Sequence, residues 1–288
     1  MALTCPIYPE SRRSRRVEDD LIFDVGFHHG EDTAYYLAKG YRVVAFEADP
    51  RSVAFCQNRF RREISERRLQ IVAGAITEDL TQESVTFYVN KRKPVWSTTD
   101  KNWSERNKRL GAERIAVVVA NVDILKGFLE FGTPHYLKVD VEGVDRHVLR
   151  TLAALPDRPT YLSFESDKVS FDDLLADLDF IEGLGYRRFK VVQQATLPGR
   201  VITTTDRSGK ILVYRFEKHA SGGFGDDAEG PWLTKREAVD TYRQVFADYR
   251  LLGDASFLGR YFGLPLRILR RILPQPLPGW HDLHASLG

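Results

Sequence analysis

The chain has 288 residues, 43% hydrophobic and 28% charged, with a formal net charge of +2; this holds one large domain, or one domain plus an appendage, and gives no general case for nucleic acid. Two cysteines, Cys5 and Cys56, exclude a disulfide framework and suit a reducing compartment, so a cytoplasmic protein is expected. No stretch approaches the ~20 apolar residues of a membrane span, and the basic run Ser11-Arg-Arg-Ser-Arg-Arg16 has no apolar signal core behind it.

Residues 1–18 read as an N-terminal arm. Leu21-Ile-Phe-Asp-Val-Gly-Phe-His-His-Gly30 then reads as a strand entering a glycine turn, with a helix over 32–39. A second strand, Arg42-Val-Val-Ala-Phe-Glu47, ends on a carboxylate. Strand, glycine turn, helix and acid-terminated strand make a nucleotide-binding half-fold. The spacing D-x-G-x-x-x-G differs from the G-x-G-x-x-G of dinucleotide enzymes. An acid at the first position sits badly beside a pyrophosphate and suits a cationic, phosphate-free ligand such as S-adenosylmethionine. Asp24, Gly26 and Gly30 are expected under its methionine part, and Glu47 can accept hydrogen bonds from two ribose hydroxyls. Thr33 is read first as a helix cap, with the cofactor carboxylate as its second role. Asp49 and Pro50 open a helix over 50–62 as N-cap and first position.

Further strands are expected at 69–73, 84–89, 116–121, 135–140, 160–165, 187–193 and 210–216, with helices near 123–130, 144–153 and 171–184. The alternation argues for a mostly parallel sheet with helices on both faces. The last two strands are separated only by the turn signals Pro198-Gly199 and Arg207-Ser-Gly209, and read as a terminal antiparallel hairpin. Ala75 and Ile76, just past the third strand, suit contacts to adenine. The basic segment 90–109 carries Trp96, Ser97 and Trp103 and suits a lid whose aromatic faces stack on a sugar acceptor. Asp140 ends the strand Tyr136-Leu-Lys-Val-Asp140, and Glu142 lies two residues on. Either acid can serve as the base that takes a proton from a hydroxyl, a contribution of typically ~10²–10⁴-fold. Glu165 closes the next strand and can face the same pocket, so a divalent cation held by oxygens is a second option. His28, in the glycine turn, is a further candidate base.

Residues 218–232 form a glycine-rich connector, and a helix at about 234–251 opens on a capping box, Thr234 with Glu237. The rest, 252–288, reads as short helical pieces. Its basic stretch Pro265–Leu273 is expected to dock on the domain, with weak peripheral membrane contact as the alternative. Trp280-His-Asp-Leu-His284 is expected to fold back towards the active site. The domain boundaries are therefore set at 1–18, 19–217 and 218–288.

Asp24-Val-Gly-Phe-His-His-Gly30, Ala45-Phe-Glu-Ala-Asp-Pro50 and Leu137-Lys-Val-Asp-Val-Glu-Gly143 together resemble the FkbM family of S-adenosylmethionine-dependent methyltransferases, over roughly residues 20–195. The resemblance implies an α/β class I methyltransferase fold, Rossmann-like, with a seven-stranded, mostly parallel sheet, here followed by a helical C-terminal extension. It also implies methyl transfer to a hydroxyl of a sugar, glycan precursor or other natural product. By the same resemblance Phe27, His28, Ala48 and Asp140 join the cofactor contacts. The chain departs from the family pattern at Phe27-His28, Ala48 and Asp145, where the family usually carries Ala-Asn, Pro and Glu. Two other readings are weighed: an NAD-dependent oxidoreductase, disfavoured by the loop spacing and the hairpin, and a catalytically silent module that binds a glycan through Trp96 and Trp103.

Overall fold

The computed structural model describes residues 17–90, 97–99, 114–141, 143–166, 170–252 and 280–288. The chain begins β1 (Glu18–Val25), α1 (Glu31–Ala38), β2 (Arg42–Glu47), α2 (Pro50–Arg59), α3 (Arg61–Ser65), β3 (Leu69–Ala73), β4 (Ala75–Ile76) and β5 (Ser84–Asn90). Next come β6 (Arg114–Val122), α4 (Ile124–Phe131), β7 (Pro134–Val139), α5 (Asp145–Thr151) and β8 (Tyr161–Glu165). It ends with α6 (Phe171–Gly183), β9 (Arg188–Gln193), β10 (Val201–Thr205), β11 (Ile211–Arg215), α7 (Lys235–Leu252) and β12 (His281–Ser286).

The main sheet has seven strands in the order β3-β2-β1-β7-β8-β12-β9. Every strand in it runs parallel except β12, which is antiparallel to both β8 and β9. This is the α/β arrangement of a class I methyltransferase. Side chains of β1 alternate between two cores, as a strand covered on both faces requires. Leu21, Phe23 and Val25 pack with Ile124 and Phe128 of α4, Val148 and Leu149 of α5, and Leu174 and Leu178 of α6. Ile22 faces the other way, with Tyr35 and Tyr36 of α1 and Phe60 after α2. The caps are local. Asp49 accepts from the backbone N–H of Arg51 at 2.9 Å with Pro50 at the first helical position. Thr234 and Glu237 bond reciprocally before α7.

The end of the sheet differs from the expected hairpin. The run at 210–216 pairs with Val201–Thr205, a strand absent from the sequence reading, in a separate two-stranded sheet. The antiparallel strand of the main sheet comes from residues 281–286, which were expected to be helical. The boundary at residue 217 therefore does not separate the sheet from the C-terminal residues. Nor do β5 and β6 join the main sheet: they pair antiparallel with each other, and β4 runs parallel to β6. No helix among the described residues is long and apolar enough to cross a membrane. The proposed amphipathic stretch 265–273 and most of the N-terminal arm lie outside the described residues.

Candidate functional site

A cleft opens at the carboxyl ends of β1, β2 and β7, where open α/β sheets bind their ligands. Gly26 and His28 form one side, and Phe46 to Asp49 with Ser52 form the next. Gly74, Ala75, Ile76 and Phe87 face them, Ser97 to Thr99 lie along a further edge, and Asp140, Val141 and Val144 complete the lining. Of the residues expected in the site, Gly26, His28, Glu47, Ala48, Ala75, Ile76, Ser97 and Asp140 meet here. Trp96, Trp103 and Glu142 lie outside the described residues.

Glu47 was expected to receive hydrogen bonds from a ribose. Its two carboxylate oxygens accept the backbone N–H groups of His28 at 2.9 Å and Asp49 at 2.8 Å. Burial pushes its pKa up to about 7, against the pull of those two donors. Each oxygen keeps a lone pair for a further donor. Burial also works against a charged His28, but the hydrogen bond and charge of Glu31 outweigh it and hold the imidazole above its ordinary value. Nδ1 of His28 lies 3.2 Å from Oε1 of Glu31.

Several other expected contacts sit elsewhere. Asp24 and Thr33 are fully buried beneath the loop, with the Thr33 hydroxyl donating to Asp24 at 2.7 Å. Thr33 does not cap α1; Gly30 holds that position in the left-handed conformation. A Cβ on Gly30 would lie 2.4 Å from the Phe60 ring, so glycine there admits a core aromatic rather than a ligand. Phe27 is itself core, 2% exposed and packed with the α1 aromatics. Glu165 ends β8 opposite Asp282 and is not among the lining residues.

The unforeseen element is Lys138. Its ammonium is buried, 3.6 Å from Asp24, 3.3 Å from Asp32 and 3.3 Å from Asp140. Burial opposes the charge, but the three acids outweigh it and hold the lysine protonated. Burial drives Asp32 up to about 6 and raises Asp24 as well. Asp140 is the member of this group that reaches the cleft. The one available signal was a lysine inside an otherwise apolar strand, a position that demands a buried counter-ion.

Gly26 fixes where β1 ends relative to β7. Its φ is +85°, and a Cβ would fall 1.9 Å from the carbonyl oxygen of Asp140. Gly26→Ala should therefore destabilise the fold by at least ~2 kcal/mol, the sum of left-handed strain and a backbone overlap. A denaturant midpoint equal to that of the unsubstituted chain would contradict this packing.

The lining suits a particular ligand chemistry. Glu47, Asp49 and Asp140 are acids, Phe46, Ala75, Ile76, Phe87 and Val144 are apolar, and no lysine or arginine occurs among the described lining residues. A diphosphate would meet charge of its own sign, whereas an aromatic base, a diol and a cationic centre each find a complement. Asp140 and Glu165 belong to no group of three metal-capable donors among the described residues; His28, His29 and Glu31 form such a group.

The methyltransferase FkbM domain model matches residues 24–188, more than half of the chain. No curated protein matches. Among solved structures, the chain is similar to methyltransferase FkbM from Methylobacillus flagellatus KT, at 17% identity over 73% of this chain and 47% of that one, with a TM-score of 0.34. It is similar to precorrin-6y C5,15-methyltransferase from Geobacter metallireducens GS-15 at 13% identity, over 70% and 78% of the two chains, with a TM-score of 0.35. For an O-methyltransferase from Bacillus cereus in complex with SAH the figures are 13% identity, 67% and 72% coverage, and a TM-score of 0.32. These similarities are low, and no residue role follows from them.

Proposed function

The chain belongs to the FkbM family of methyltransferases, and from that premise we propose that it methylates a hydroxyl of a carbohydrate, glycan precursor or related natural product. S-adenosylmethionine, when bound, supplies an electrophilic methyl on a sulfonium centre. Glu47 accepts the ribose hydroxyls, Ala75 and Ile76 flank the base, and the acids of the cleft favour the cation. Asp140 orients the acceptor hydroxyl and takes its proton, with Lys138 holding its Oδ2 from 3.3 Å away. Ser97 lies on the acceptor side, with Trp96 and Trp103 beside it in sequence. A buried free thiol at Cys56 suits a reducing compartment such as the cytoplasm.

One observation carries this reading: an acid held by two backbone N–H groups faces a cleft lined by further acids and by apolar side chains. Calorimetry should show binding of S-adenosylhomocysteine and none of NAD, and the reverse result would overturn the proposal. Release of labelled methyl over a panel of sugar and polyketide hydroxyls then tests the acceptor class.

The pH dependence has a definite sign. Glu47 titrates near 7 in the free protein, and ribose hydroxyls donate to its ionised form, so binding lowers its pKa. Affinity for S-adenosylhomocysteine should rise about tenfold between pH 6 and pH 8 and then level off. Glu47→Gln should flatten that profile. A profile that stays steep in the variant would assign the titration to another group.

A further inference from the structure

The loop between β1 and α1 carries a grouping of side chains to which the proposed transfer through Glu47 and Asp140 assigns no step. His28, His29 and Glu31 present donor atoms that all lie within 4.8 Å of one another. The two imidazoles stack with centroids 3.9 Å apart, and Oε2 of Glu31 accepts the backbone N–H of His29 at 3.2 Å. A third imidazole arrives from a distant part of the chain: the ring of His219 lies 6.1 Å from that of His28.

His219 is held in place from both sides. Glu217 pairs with Arg59, whose guanidinium also donates to the carbonyl of His29 at 2.9 Å. The backbone N–H groups of Ser221 and Gly222 donate to Asp32, at 2.8 and 3.3 Å. Arg59, a cation beside the group, is thus neutralised by Glu217.

Backbone strain points to the same residues. Among the described residues, three that are not glycine have positive φ: His28 at 50°, Arg67 at 57° and His219 at 74°. Two of the three are histidines whose rings approach edge to face. Such conformations persist where the surroundings over-determine them, and they gather at functional sites. Nε2 of His28 is also buried without a hydrogen-bond partner among the described residues.

We infer that His28, His29, Glu31 and His219 form a binding site for a divalent transition-metal ion of the zinc type. Imidazole nitrogen with one carboxylate suits zinc, nickel, copper or cobalt, and disfavours magnesium and calcium, which prefer all-oxygen sites. With metal–nitrogen bonds of ~2.0–2.1 Å, tetrahedrally placed imidazoles have ring centroids about 5 Å apart. The two observed spacings, 3.9 and 6.1 Å, bracket that value. The ion clamps the glycine loop to the connector after β11. His28 also donates its backbone N–H to Glu47, so the clamp steadies the carboxylate assigned to the ribose, and metal and cofactor bind with positive coupling.

The test uses the full chain, stripped with a chelator and titrated with Co²⁺ alone. One equivalent should bind, with the visible absorption of a four-coordinate cobalt centre. His219→Asn and His28→Asn should each weaken it by at least the ~10–100-fold that loss of even an outer-shell partner costs. Asparagine tolerates left-handed backbone, and far-UV circular dichroism checks that both variants fold. No stoichiometric binding, or binding by both variants as tight as that of the unsubstituted chain, would overturn the site; the second result marks an adventitious ion only. Binding of S-adenosylhomocysteine by the stripped chain is read separately, so failure of the metal site leaves the methyltransferase reading standing.

Discussion

A chain ending at residue 279 is expected to show no cooperative thermal transition and no binding of S-adenosylhomocysteine. The cause is the place of β12. It lies between β8 and β9, pairing from Asp282 to Ser286 with β8 and from His281 to Ser286 with β9. Removing it strips both neighbours of a full ladder and leaves β9 without a partner in the main sheet. Leu283 and Ala285, both fully buried, leave the core shared with α6 and α7. Buried backbone groups left without partners cost ~1–3 kcal/mol each, and a ladder of them exceeds the ~5–15 kcal/mol that holds a typical domain folded. Leu283→Ala gives a graded version: a loss of about 2–5 kcal/mol from the cavity it creates. A soluble truncated chain that melts cooperatively would show that the sheet closes without its seventh strand.

That strand was also the hardest to read. A strand buried on both faces ordinarily appears as a continuous apolar run, and β2 does, from Val43 to Phe46. In His281-Asp-Leu-His-Ala-Ser286 only one face is apolar, though five of the six residues are buried. The other face joins a polar row that crosses five strands, in which Asp24 pairs with Lys138, Lys138 with Ser163, Ser163 with His284, and His284 with Lys190. Burial, together with the charges of Lys190 and Lys138, pushes His284 down to about 3, so it is neutral at ordinary pH. Gln194 donates to Asp282 at 2.5 Å. Partners supplied by distant strands hide such a segment from any local pattern.

The site divides along similar lines. Glu47 and Asp140 are legible because an acid closing an apolar parallel strand stands at the ligand end of the sheet. Phe27, Gly30 and Thr33 mislead because residues near a glycine turn also serve the packing under it. Gly30 admits Phe60, and Thr33 turns inward to Asp24. Lys138 interrupts an apolar strand, which signals a buried counter-ion without saying which residue supplies it. Only the approach of α1, with Asp32 in its first turn, makes it the counter-ion of three acids. His219 lies 191 positions from His28 (219 − 28), and nothing in either neighbourhood announces that the two rings meet.

Asp140→Asn should abolish most turnover while leaving cofactor affinity nearly unchanged. Methyl transfer is an in-line displacement, so the chain must aim the acceptor oxygen at the methyl and remove its proton. Asp140 is the one acid of the Lys138 group exposed to the cleft, with 43% of its side chain accessible, whereas Asp24 and Asp32 are buried. Asparagine keeps the shape and one oxygen, so the backbone bond from Asp140 N–H to Val25 and the packing of Gly26 survive. Lys138 keeps Asp24 and Asp32 as partners, so the buried charge stays compensated and the fold stands. What disappears is the proton acceptor, a loss of ~10²–10⁴-fold in kcat. The ribose contacts are assigned in the proposal to Glu47, on a different strand, so the Kd for S-adenosylhomocysteine should hold. A fall in affinity as large as the fall in kcat would make Asp140 a cofactor ligand and nothing more. Turnover equal to that of the unsubstituted chain would remove it from proton transfer, leaving Glu142 or His28 as the base.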